Sequence, residues 1–120
     1  SADMFISIHG NSVAGSKCPS GIETYYHGTD PNGRALAYCI HSEVVRESGL
    51  PDLKVRSDYT LYKTGLGVLR GATSYGIPAV LIELGYVKHP GDVAKLRDPE
   101  FQQRMAEAIV RGIRAYVEGG

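Results

Sequence analysis

No sign of charge prevails in this chain: thirteen basic residues stand against thirteen acidic ones. Without a basic field there is nothing to draw a phosphate backbone to the surface, so no nucleic-acid partner is expected, and there is no acidic tail. No stretch approaches the roughly 18 consecutive apolar residues that span a bilayer, which excludes a helical membrane span. The opening Ser1-Ala-Asp3 does not read as a signal peptide, so an export signal, if the natural protein has one, would lie elsewhere. Cysteine is scarce as well. Cys18 sits in a Gly/Ser/Pro-rich stretch and Cys39 on a helical pattern, and neither belongs to a CxxC or Cys/His spacing, so a cysteine-built zinc site is excluded. Incidental thiols are the default reading, with a disulfide left open. Internal repeats, a linker and a second domain are also missing, and residues 1–120 read as one domain.

What is present is an ordinary globular composition, 42% hydrophobic and 22% charged over 120 residues, enough for one core. Two stretches share a design. In Ile77-Pro-Ala-Val-Leu-Ile-Glu-Leu-Gly-Tyr86 an apolar run is stopped by one carboxylate, Glu83; the run reads as a short strand buried on both faces, with Glu83 at its carboxyl end. In Met4-Phe-Ile-Ser-Ile-His-Gly-Asn11 a mostly apolar strand, expected over residues 3–9, ends on His9. Sites in open α/β sheets form at the carboxyl ends of strands, so two neighbouring parallel strands would present His9 and Glu83 to one pocket, as metal ligand or base facing acid or base.

The rest of the chain reads as follows. Residues 11–20, rich in Gly, Ser and Pro, are expected as a loop bordering the pocket, and residues 21–26 as a strand with Ile22, Thr24 and Tyr26 on one face and Glu23 and Tyr25 on the other. Glu23 reads equally as an outward charge or as a group near a metal. A helix is expected over residues 33–48, burying Leu36, Cys39, Ile40 and Val44 and stopping at Gly49, with His41 at its boundary with solvent. Residues 51–62 are polar and read as a solvated loop. The glycines of Gly65-Leu-Gly-Val-Leu-Arg-Gly71 do not fit GxGxxG, so a dinucleotide loop is discarded; Val68 and Leu69 read as a short strand with Arg70 at its end. Asp98-Pro99 opens a final helix in which Phe101, Met105, Ala108, Ile109, Ile113 and Tyr116 keep helical spacing, and order is expected to fade at Gly119-Gly120.

Both key stretches resemble segments of the zinc-dependent N-acetylmuramoyl-L-alanine amidases, which cut peptidoglycan. Ala2 to Asn11 resembles the segment carrying that family's second zinc histidine, and Pro78 to Tyr86 the segment carrying its catalytic glutamate. Gly21-Ile-Glu-Thr-Tyr-Tyr26, Leu66-Gly-Val-Leu-Arg70 and Leu96-Arg-Asp-Pro-Glu-Phe101 follow in the family's order, so the resemblance runs nearly end to end. It implies an α/β fold with a mostly parallel twisted sheet and helices packed on both faces. It further implies His9 as a zinc ligand, Glu83 as the acid beside the metal, and Asn11, Glu23 and Arg70 as substrate contacts. Arg70 is read as pairing either with a stem-peptide carboxylate or with Glu83 or Glu23.

The implied cofactor is one zinc ion, and the implied substrate is the peptidoglycan glycan strand with its stem peptide, met outside the cytoplasm, in the cell wall or periplasm or in a phage or spore lytic context. Family members bind zinc through two histidines and a glutamate, and the first histidine and that glutamate lie in an N-terminal strand-helix portion upstream of the segment matched by Ala2 to Asn11. This chain therefore reads as the C-terminal two thirds of a catalytic domain, with an exposed sheet edge open to self-association. His27, His41 and His89 do not match ligand positions. Two alternatives remain: a catalytically silent, metal-free fragment or peptidoglycan-binding module, and another zinc hydrolase, such as a stem-peptide peptidase.

Overall fold

The computed structural model describes residues 2–119. Four strands, β1 (Phe5–Asn11), β2 (Ile22–Tyr26), β3 (Asp52–Ser57) and β4 (Ala79–Tyr86), form one sheet in the order β1-β4-β2-β3. β1 runs parallel to β4 and β2 parallel to β3, while β2 and β4 are antiparallel, so the sheet is mixed but mostly parallel. Helices α1 (Pro31–Ser48) and α4 (Pro99–Gly119) pack on one face, around a core of Ile22, Leu36, Ile40, Val80, Ile82, Phe101 and Met105. Helix α2 (Gly67–Ser74) covers part of the other face, where Leu69 meets Tyr25, Ala79 and Leu81. The expected α/β sheet with helices on both faces is therefore present. α3 (Pro90–Leu96) follows β4.

The helix boundaries follow local chemistry. Asp30 caps α1 by accepting the Gly33 N–H at 2.9 Å, Pro31 opens it, and Gly49 closes it at φ 68°, in the left-handed region that glycine enters without strain. Gly112 of α4 lies so close to α1 that a Cβ there would stand 2.4 Å from the Ile40 Cα. The two long helices thus meet backbone to backbone.

Several elements differ from the sequence reading. Residues 51–62 are not a loop: Asp52–Ser57 is an edge strand whose residues alternate between exposed and half-buried, followed by a short 3-10 turn, Asp58–Thr60. Its exposed Asp52, Lys54 and Arg56 imitate loop composition, and charges of this kind protect sheet edges from pairing with other chains. Val68 and Leu69 lie on a helix, because Leu66, Leu69 and Ala72 recur every three residues onto one patch. β1 continues to Asn11, and β4 continues past Glu83 to Tyr86 by way of Gly85 at φ 109°. His41 is not a boundary residue but is buried, its ring linking Thr24 Oγ1 (2.8 Å from Nδ1) to Asp52 Oδ1 (2.7 Å from Nε2). Gly119 still belongs to α4, and Gly120 lies outside the described residues.

Candidate active site

His9 and Glu83 are Cα partners in the β1–β4 ladder, and Glu83 and Glu23 are Cα partners in the β4–β2 ladder. In-register neighbours leave a sheet on the same side. The three side chains therefore form a row across β1, β4 and β2. Phe5, Ala79, Leu81 and Tyr25 lie on the same face, under α2, so the row continues a surface that starts as core and ends open. The carboxyl end of β4 lies beside Asp92, whose buried carboxylate accepts hydrogen bonds from Ser20 Oγ (2.6 Å), Gly21 N (3.1 Å) and Tyr86 N (2.9 Å). These bonds tie the loop before β2 to β4 and so hold Glu23 and Glu83 in register.

Each member of the row has its own environment. Exposed His9 is oriented by Ser7, whose Oγ lies 2.7 Å from Nε2. Glu83 is half-buried, and burial pushes its pKa up; nearby Glu23 adds to the rise, and His9 opposes it. Glu23 is fully engaged, its Oε1 accepting from the Tyr25 hydroxyl at 2.7 Å and its Oε2 from Arg56 Nε at 2.9 Å. It is therefore neither a free outward charge nor an unpartnered acid. Burial, reinforced by the hydrogen bond to Glu23, holds the Tyr25 phenol far above its ordinary range.

The other sequence candidates are placed as follows. Asn11 ends β1, where its side chain accepts the Ser12 N–H at 2.8 Å. Arg70 is exposed on α2 and donates from Nη1 to the Thr64 carbonyl at 2.8 Å; of its two readings, the ion pair with Glu83 or Glu23 is not formed, and Glu23 pairs with Arg56. Sequence reasoning missed Arg56, since its strand was read as a loop. His27 is held by buried Asp58 at 2.9 Å, and His89 caps α3 by accepting the Asp92 N–H at 3.1 Å. Cys18 and Cys39 are free thiols. A cavity of about 480 Å³ lies on the opposite face, against α1 and β3, and includes none of the row.

A catalytic zinc takes three protein ligands and keeps a fourth position open. Among the described residues no three His, Cys, Asp or Glu side chains converge in this way. His9 is a competent donor, but the described residues alone do not make a zinc site.

The family model described as N-acetylmuramoyl-L-alanine amidase matches residues 1–115. The chain belongs to that family. It is 38% identical over 120 residues to the uncharacterized protein YqiI of Bacillus subtilis, covering 98% of this chain and 52% of that protein. The germination-specific N-acetylmuramoyl-L-alanine amidase of the same species is 28% identical over 115 residues, covering 96% of this chain and 45% of that protein. Among solved structures, the catalytic domain of the amidase CwlV from Bacillus (Paenibacillus) polymyxa var. colistinus superposes with a TM-score of 0.81 at 35% identity, covering 99% of this chain and 60% of that one. The chain thus spans about half, or less, of these curated relatives and is a partial catalytic domain relative to the amidases it resembles.

Proposed function

We propose that this chain forms part of the catalytic face of a zinc-dependent peptidoglycan amidase, which hydrolyses the amide bond between the lactyl group of N-acetylmuramic acid and the L-alanine of the stem peptide. The observation that carries this reading is the in-register row of His9, Glu83 and Glu23 on an open sheet face, in a chain of the amidase family. Residues 1–120 are read as one portion of a catalytic domain working outside the cytoplasm, in line with the name of a Bacillus anthracis relative, an uncharacterized cell wall amidase. Among the described residues no helix is long and apolar enough to cross a membrane.

In this reading Glu83 is the proton carrier. Burial raises its pKa, so the carboxylate is a better base than one in water; it takes a proton from the attacking water and hands it to the leaving nitrogen. Glu23, fixed by Tyr25 and Arg56, borders the position where the amide would lie, with Asn11 at the end of β1 and Arg70 on α2 as further substrate contacts. His9 is assigned as one zinc ligand, and the remaining donors of a complete site come from outside the described residues. Among the described residues β1 is paired on one side only, so its free edge is assigned to self-association of the isolated chain.

The incomplete donor set favours one alternative, a metal-free fragment that holds peptidoglycan without cutting it. One assay separates the readings: purified peptidoglycan digested by the full-length protein, with elemental analysis of bound zinc. An amidase releases new L-alanine amino termini without new reducing ends and carries about one zinc per chain, lost in His9→Ala. A stem-peptide peptidase exposes other amino termini, and a silent module exposes none.

A further inference from the structure

Arg56 lies on the same sheet face as Glu83, although a regular strand would have placed it on the opposite one. At the start of β3, Ile22 is the Cα partner of Asp52; two residues later on β2, Thr24 is the partner of Val55, three residues further along β3. One extra residue is therefore inserted, and Lys54, beside the shift, has φ 79°, the sole non-glycine residue with positive φ among the described residues. A left-handed conformation at a residue with a Cβ costs on the order of 1 kcal/mol. The Asp52 carboxylate stabilises it by accepting the Lys54 N–H at 2.8 Å.

Because side chains alternate, a shift of one residue moves every later side chain to the other face. With the bulge, Val55 pairs with Thr24 and packs on the α1 side, while Arg56 pairs with Tyr25 and joins the face of Glu23 and Glu83. Without it, Arg56 would partner Tyr26 and point toward the α1 side. The strained residue thus has a definite consequence, the position of a single guanidinium.

That guanidinium is half fixed and half free. Its Nε donates to Glu23 Oε2 at 2.9 Å, which sets its direction, while its terminal nitrogens make no hydrogen bond among the described residues and the side chain is 47% exposed. An arginine held by Nε with its Nη pair open to solvent is suited to a carboxylate. Strands lie about 4.8 Å apart, so the backbones of β3 and β4 are about 10 Å apart, and Arg56, in register with Tyr25 and Leu81 and drawn toward Glu23, lies within roughly two to three extended peptide residues of Glu83.

We propose that Arg56 is a specificity-determining residue that grips a carboxylate on the peptide part of the substrate, about two to three residues beyond the bond facing Glu83. The proposal rests on the amidase reading for the location of that bond, and it names the substrate class as an acidic peptide rather than an amidated one.

The test uses the full-length protein and N-acetylmuramoyl-L-alanyl-alanyl-alanine, as the free acid and as the C-terminal carboxamide, with binding followed by calorimetry and hydrolysis by release of amino termini. The acid is expected to bind roughly tenfold more tightly than the carboxamide, in keeping with a charge-assisted pair. Arg56→Gln brings that ratio to about one through a rise in KM rather than a fall in kcat. Arg56→Lys, which keeps the charge on an exposed residue and loses the fork, restores part of the ratio, and Arg114→Gln, on α4 at the far face, leaves it unchanged. Equal binding of the two peptides by the wild type, or a preference that survives in Arg56→Gln, overturns the proposal. Hydrolysis of both peptides without preference overturns the role of Arg56 while leaving the amidase reading intact. An Arg56-dependent preference in binding, with neither peptide cut, overturns the amidase reading and supports the grip.

Discussion

His9 and Glu83 face the same side of the sheet as direct partners on adjacent parallel strands, with Glu23 as the next partner of Glu83 on β2. An imidazole and a carboxylate raised by burial are thus held side by side by backbone pairing, before any ligand arrives. Preorganisation of this kind is what a proton-transfer group needs, since its geometry costs nothing at the moment of reaction.

The first prediction follows from that pairing. Glu83→Gln keeps the shape of the side chain and removes its capacity to carry a proton. If the amidase proposal holds, the variant of the full-length protein is expected to lose turnover on purified peptidoglycan by about a hundredfold or more, the usual scale of a general acid-base contribution, while its zinc content and thermal midpoint match the wild type. Wild-type turnover in a zinc-loaded Glu83→Gln protein would remove Glu83 from the mechanism.

The pairing of His9 with Glu83 was legible in the sequence because both interrupt apolar strands, and an isolated polar residue in such a run stands out; the place of Glu23 beside them was not, since it read equally as an outward charge. The two long helices were legible through local chemistry, since Gly49 and Asp98-Pro99 mark boundaries, although α1 begins at Pro31 behind the Asp30 cap rather than at residue 33. β3 was not legible, because an edge strand is free to carry charge on its outer positions, and Asp52, Lys54 and Arg56 then read as solvated. Without β3, Arg56 could not be placed opposite Tyr25, nor His41 between Thr24 and Asp52. Arg70 was misplaced for a related reason, since the apolar pair Val68-Leu69 has the look of a strand, and only packing against Tyr25 and Leu81 makes it helical.

The link between His41 and Asp52 leads to a pH prediction. The His41 hydrogen bond, assisted by the Lys54 N–H, holds the Asp52 carboxyl below its ordinary value, against the opposing effect of burial. A folded pKa below the unfolded one means stability that is present above the unfolded value, near 3.9, and lost as pH falls through the folded value. Asp52→Asn should therefore melt lower than the wild type at pH 6 and show a shallower fall between pH 5 and pH 2. Glu43, lowered by Arg111 and Arg46, supplies part of the slope that remains. Parallel melting curves for the two proteins, followed by far-UV circular dichroism, would show that the bond carries no linkage.

Gly112 sets how closely α1 and α4 approach. Alanine is the better helix former by about 1 kcal/mol, so propensity alone favours Gly112→Ala. The added methyl would lie 2.4 Å from the Ile40 Cα and 2.9 Å from the Cys39 carbonyl oxygen, which are backbone atoms that cannot rotate away. Separating the helices loosens the packing around Ile40 and Ala108, and overpacking of this kind costs typically about 1–3 kcal/mol. The net result is a melting temperature lower by several degrees. A midpoint equal to or above that of the wild type would mean that the interface yields at little cost.

The outer edge of β1 carries the last prediction. Among the described residues β1 pairs with β4 alone, so one side of its backbone has no strand partner. Beside that edge Ile8 is 52% exposed, and it lines a groove of about 220 Å³ with Leu84, Leu96, Phe101, Met105 and Ile109. β3, at the opposite edge, carries exposed Asp52, Lys54 and Arg56, whereas no lysine or arginine lies along β1. Pairing between copies is therefore expected along β1 rather than β3, since it would satisfy the free N–H and C=O groups and cover Ile8 together. Sedimentation of the 120-residue chain should show a weight-average mass rising with concentration, and Ile8→Lys, which sets a charge beside the edge, should return it to the monomer. A wild-type chain that stays monomeric at high concentration would mean that twist and solvation already protect this edge, and the exposed Ile8 would then have no bearing on assembly.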